Sequence, residues 1–257
     1  MITLFIENRD GETLAAASGE AACRLTYDAA FREGDRLRIE APRGLLWLEG
    51  ALPSVPLYLP TGAAAYAIPF GAERKILAPQ AFSGARHCFS ARVPEVGETE
   101  ARRCLSCNPW ASHEPNGLFP FASANVETRG EAAFAARNAI DGLLETHGHG
   151  EWPYTSWGIN RDPAAALRID FGRPVRADEA VLYLRADFPH DAWWREGTLR
   201  FSDGSALTLK LEKTGKGQRF PFPARVTEWV VLDTLIKADD PSPFPALTQL
   251  QLFGCDL

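Results

Sequence analysis

The sequence predicts an all-β protein made of two β-sandwich domains, and three observations predict it. Short apolar or alternating segments recur along the whole chain, bounded by Gly, Pro, Asn and Asp. Only Glu131 to Ile140 reads as helix, and it is short, Ala-rich and stopped by Asp141-Gly142. No similarity recurs at a fixed period, which argues against solenoids and propellers.

The N-terminal sandwich is expected over residues 1–95. Asp35 to Glu40 alternates, with Leu37 and Ile39 on one face and Arg36, Arg38 and Glu40 on the other, as a half-buried antiparallel strand does. Leu45 to Leu48 and Val55 to Leu59 are apolar runs, and Pro56 predicts that the second is an edge or bulged strand, because proline cannot donate to a ladder. Ala64 to Phe70 and His87 to Val93 are weaker strand candidates. Pro94 to Arg103 is polar and poorly patterned. It places a linker at 96–104, with room for a helical turn.

A second sandwich is expected over 105–257. Ala166 to Phe171 alternates, and Ala180 to Leu184 is nearly all apolar. Leu199 to Phe201 leads through Ser202-Asp-Gly-Ser205, a turn with type I′ chemistry, into Leu207 to Leu211. Val226 to Leu232 and Leu247 to Phe253 complete the set, and together they suggest a jelly roll.

Composition narrows the function classes. A hydrophobic fraction of 46% and a charged fraction of 23% are those of a globular chain, not a disordered one. The net charge of -6 is spread evenly and no basic cluster is interleaved with aromatics, so nucleic acid is not an expected partner. No apolar run is long enough for a membrane span. The N-terminus lacks a signal-peptide pattern, so the expected location is cytoplasmic. Five cysteines are too few for a disulfide framework. Cys104 and Cys107 have zinc-like spacing but no second pair, and read as inert thiols. Cys107 and Cys255 would meet if the ends of this half are adjacent, and would stay reduced in the cytosol.

The candidate site lies between Asn138 and Arg195. Four of the seven tryptophans (Trp152, Trp157, Trp193, Trp194) and three of the five histidines (His147, His149, His190) fall here, in two runs without strand or helix period. A loop rich in tryptophan must pack or bind something flat. A pyranose offers an apolar C–H face to an indole and a rim of hydroxyls to Arg, Asp, Asn and His. The competing structural account puts Trp157 and one of Trp193 and Trp194 under their own loops, and pairs Arg185 with Asp187 as a local salt bridge.

The order of signals over 105–257 resembles the discoidin, or coagulation factor 5/8 type C, family of galactose-binding-like jelly rolls, which includes the family 32 carbohydrate-binding modules. The pieces are Asn138-Ala-Ile-Asp-Gly142, Ser156-Trp157, Leu167 to Val175, Ala180 to Arg185, Leu199 to Ser205 and Leu247 to Gly254. The resemblance implies a lectin-like, non-catalytic protein that binds a galactose-type or related sugar at the loop end of the sandwich. It implies Glu127 and Arg185 as polar contacts, a polar residue near Gly158 to Asn160 (Asn160, or His147 or His149), and Trp193 or Trp194 as platform. Trp152, Trp157, Asp187, His190 and Asp191 complete the expected ligand-binding set. It also implies a structural calcium ion on Asp141 and Thr146, although Gln249 and Gln251 stand where an acid is expected. No other cofactor is implied.

Two other functions compete. The same aromatic loops, with Lys237 to Pro245, would suit a protein partner. His147, His149 and His190 with a carboxylate would suit a metal-dependent jelly-roll enzyme, but the further motifs of such enzymes are absent.

Overall fold

The computed structural model describes residues 1–145, 152–186 and 192–257. It is all-β, and every strand pairing is antiparallel. The N-terminal strands are β1 (Ile2–Glu7), β2 (Thr13–Gly19), β3 (Ala22–Tyr27), β4 (Arg36–Glu40), β5 (Gly44–Glu49), β6 (Val55–Leu59), β7 (Ala63–Ala67) and β8 (His87–Arg92). They form two four-stranded sheets, ordered β2-β1-β4-β7 and β3-β8-β5-β6. Alternation does the work in β4, whose Leu37 and Ile39 are fully buried while its arginines flank Glu7 on the other face. Pro56 sits on β6, at the end of its sheet as expected. Two five-residue helices interrupt the strands: α1 (Gly71–Lys75) between β7 and β8, and α2 (Val96–Glu100) after β8, inside the expected linker.

The remaining strands are β9 (Arg103–Cys104), β10 (Phe121–Ala124), β11 (Trp157–Gly158), β12 (Leu167–Leu184), β13 (Trp194–Phe201), β14 (Ala206–Lys210), β15 (Gln218–Lys237) and β16 (Ala246–Asp256). The two segments expected at 166–171 and 180–184 are one strand, β12. Its register shifts between Asp170 and Val175, where Gly172 takes a φ of 67°. Before the shift it pairs with β10 and β15. After it, β12 keeps β15 and gains β16. A long strand broken by an irregularity serves both layers of a sandwich without a separate crossover. Inward residues from both halves of β12, among them Ile169, Phe171, Val175, Ala180 and Leu182, share one core.

Two local expectations are corrected, and a third point is settled at the cysteines. Glu131 to Ile140 forms two 3-10 turns, Ala132–Phe134 and Ala136–Ile140, because Ala135 is extended between them (φ -72°, ψ 154°). In the turn after β13, only Gly204 has positive φ (84°) and Gly204 N donates to Phe201 O. A type I′ turn would need Asp203 there too, so this is a tight turn closed by a left-handed glycine. Cys107 and Cys255 are both free: Cys107 lies against Gly142, and Cys255 accepts from Arg176.

The two halves meet along a packed seam. Trp110, Leu118, Phe134 and Tyr154 belong to the core of the N-terminal strands, with Trp110 edge-on to Tyr66 and Phe89. Tyr58 and Phe119 exchange two backbone hydrogen bonds, and Ala65 N donates to Asn116 O. Arg173 lies over the ring of Tyr58 and pairs with Asp256.

Candidate functional site

A cavity of 180 Å3 opens at the loop end of the second sandwich, where β11 and the start of β16 meet the 3-10 turns. Its floor is set by backbone geometry. Gly158 must be glycine, since a Cβ there would stand 2.6 Å from Thr128 Oγ1. Thr128 Oγ1 in turn accepts from Asn160 N at 2.9 Å. Ser156 Oγ is buried beside this floor and meets no partner among the described residues. One wall is aromatic. Phe244 is 40% exposed and carries the Arg161 guanidinium 4.3 Å above its ring. Phe134 and Tyr154 form the other side, with Arg129 stacked on Phe134 and held by Glu131.

Of five non-glycine residues with positive φ among the described residues, Arg129 (56°) and Asn160 (47°) line this cavity, and Arg161 (65°) stacks on its Phe244 wall. Such conformations cost free energy and concentrate where side chains must be held at fixed angles. The result is a small concave site with an exposed ring, two guanidiniums, a hydroxyl and an amide. Its volume is below the roughly 300–1,000 Å3 of drug-sized pockets, so it suits one ring or a chain end.

Asn160 is the member of the expected set that lines this cavity. Arg185 lies just behind it. Its backbone N–H donates to Ala246 O, and its guanidinium stacks 3.2 Å from the centroid of the Tyr154 ring. Arg185 is 2% exposed. Glu127 faces the other way: Oε1 accepts from Ala136 N, and Oε2 lies 3.3 Å from His113 Nδ1.

Two of the expected tryptophans lie in the core. Trp157 and Trp194 are buried in the sandwich core with centroids 6.4 Å apart, and the Trp157 indole N–H is satisfied by Val126 O. Trp193 is half-buried against the same core. Trp152 is 39% exposed but lines a different cavity, of 370 Å3, on the seam beside Leu52, Leu77, Cys107 and Leu143. Thr146, His147, His149, Asp187, His190 and Asp191 lie outside the described residues.

The calcium expectation can be tested at Asp141. Its Oδ1 accepts from Leu143 N (2.8 Å) and Gln249 Nε2 (2.6 Å), and its Oδ2 accepts from Thr155 Oγ1 (3.0 Å). Gln249 Nε2 also donates to Asn138 O (2.6 Å), while Gln249 Oε1 accepts from Gly142 N (3.1 Å). Two amide hydrogens therefore point at the oxygens a cation would need, and among the described residues Asp141 is the only anion in the cluster. This donor set does not fit calcium, which takes six to eight oxygens. Burial raises the Asp141 carboxyl to about 6, against the opposing pull of its hydrogen bonds and of Arg137. Among the described residues no group of three His, Cys, Asp or Glu side chains could hold a metal, and no helix is long and apolar enough to cross a membrane.

Tyr154, Arg129, Arg161 and Phe244 were not expected at the site. Phe244 carried a signal, as an aromatic residue between Ser242-Pro243 and Pro245 in a segment with no strand period. Arg129 and Arg161 carried none, since their positions depend on left-handed backbone.

The family model described as Domain of unknown function (DUF7402) matches residues 120–239. No curated protein matches the chain. Among solved structures, chitosan-binding module 1 of a chitosanase/glucanase from Paenibacillus sp. IK-5 is 17% identical, covering 59% of this chain and 99% of that one, with a TM-score of 0.41. The family 32 carbohydrate-binding module of C. perfringens NanJ, in complex with galactose, is 16% identical over 51% of this chain and 91% of that one (TM-score 0.39). A family 32 module from Clostridium perfringens, in complex with GalNAc-β-1,3-galactose, is 15% identical over 52% and 94% (TM-score 0.40).

Proposed function

We propose that the chain is a non-catalytic carbohydrate-binding protein that holds one galactose-type or related sugar ring in the cavity between Phe244 and the Gly158–Asn160 floor. In this reading residues 105–257 are a discoidin-like module and residues 1–95 an N-terminal sandwich joined through 96–104 and packed against it along the seam. The observation that carries it is the pairing of an exposed ring with convergent hydroxyl, amide and guanidinium groups on strained backbone. Phe244 offers a face to the sugar C–H groups. Arg161 and Arg129 supply donors to ring oxygens and hydroxyls, and Asn160 and Ser156 both donate and accept. Arg185 keeps Tyr154 in place from behind.

A small, open site of this kind supports an affinity of roughly 0.1–1 mM for a single sugar. A glycan array, followed by titration of the best hit, tests the proposal. Phe244→Ala is expected to weaken binding about tenfold, the value of one aromatic contact. Gly158→Ala is expected to abolish it by forcing Thr128 away from the floor. Unchanged binding in both folded variants would remove the cavity from consideration. A blank array would favour a protein partner on the same loops.

A further inference from the structure

The outer face of the sheet β3-β8-β5-β6 carries a second cluster that the loop-end cavity does not use. Register sets Arg24 opposite Ser90, and Ser90 opposite Glu49, so the three form one row across three strands. The next row is Ala22, Arg92, Trp47 and Pro56. The residues between them in sequence, Cys23, Leu48 and Ala91, point into the core, so both rows face away from it. They border a cavity of 430 Å3, to which Ser54 also contributes.

The charges here are sorted. Arg92 is neutralised by two 2.7 Å bonds to Glu98 of α2, and its guanidinium lies 5.2 Å from the Trp47 ring. Among the described residues Glu49 accepts only from Ser90 Oγ (2.9 Å). Arg24 is exposed, and its side chain has no ion pair or hydrogen bond among the described residues. A free donor fork and a largely free acceptor therefore stand two strand spacings apart, about 9–10 Å, with an indole one row away.

The geometry points to a second saccharide-binding site on this face, taking one or two pyranose rings between Arg24 and Glu49 against Trp47. Sugar hydroxyls both donate and accept, so one ring satisfies both ends at once. An anionic polymer would meet Glu49, and an apolar peptide would leave Arg24 and Glu49 desolvated without partners. The site does not depend on the loop-end cavity.

The test is a glycan array probed with the wild-type chain and with Trp47→Ala, Arg24→Ala and Phe244→Ala. The expected result is at least one glycan whose binding falls tenfold or more in Trp47→Ala and Arg24→Ala but survives in Phe244→Ala. Arg24 is exposed and unpartnered, so its variant keeps the test open if Trp47→Ala unfolds. The inference is overturned if no glycan responds to Arg24, including the case in which Phe244→Ala alone removes all binding. In that case the loop-end site stands and this one falls. A blank array with the wild-type chain overturns both.

Discussion

Replacing Gln249 with alanine removes three contacts at once, because its buried amide bridges Asn138 O, Asp141 Oδ1 and Gly142 N. At about 1 kcal/mol for each ordinary hydrogen bond and about 2 for the one to the carboxylate, the expected loss is about 4 kcal/mol. Urea unfolding would read this as a lower midpoint with an unchanged slope. Gln249→Glu probes the same point differently. It replaces two amide hydrogens with oxygen beside Asp141 and Asn138 O, and so builds the cluster of oxygens that calcium prefers. This variant is expected to be destabilised in chelator and to regain stability in calcium, while the wild-type melting temperature is the same in both. A cost below about 1 kcal/mol for Gln249→Ala, or a wild-type chain stabilised by calcium, would refute the argument that the amide fills the cation's place.

Two further predictions concern buried groups. Burial lifts the Asp141 carboxyl from 3.8 to about 6 in the folded state, so the native protein binds this proton more tightly than the unfolded chain does. Stability from this group is therefore highest below pH 3.8 and falls as pH rises to about 6, by about 3 kcal/mol in all. The stability of wild type relative to Asp141→Asn should drop by most of that amount between pH 4 and pH 7, and parallel pH curves would contradict it. At Trp194, truncation to alanine should cost about 3–5 kcal/mol, whereas phenylalanine should be nearly neutral, since the indole N–H meets no acceptor among the described residues. Equal losses in the two variants by chemical denaturation would refute this.

Strand content was legible wherever one face is buried and the other wet, as in β4, or where proline restricts a position, as in β6. Strands whose partners cover both faces left weaker marks. β1 is nearly all buried, and β2 is a small-residue edge strand, so neither showed a clear period. The resemblance implies a polar residue near Gly158 to Asn160, where the proposed cavity lies, but nothing local marks its wall. Tryptophan in loop-like sequence suggested exposure, yet Trp157 and Trp194 start strands whose side chains turn inward. Arg185 looked like a ligand contact because sequence cannot show that Tyr154, thirty-one residues earlier, would cover it. Gln249 likewise stands where an acid is expected, and its three partners come together only in the fold.

The seam also bears on the order in which the chain can become native during synthesis. The N-terminal strands leave the ribosome first, and a self-sufficient domain would fold at that point. Here their core stays open until Trp110 and Leu118 emerge, and Tyr154 arrives later still. The final strand, β16, then joins β9, β11 and β12. A nascent chain halted near residue 100 should therefore expose apolar surface where Trp110 would sit, and be a target for chaperones and proteases until the remainder is made.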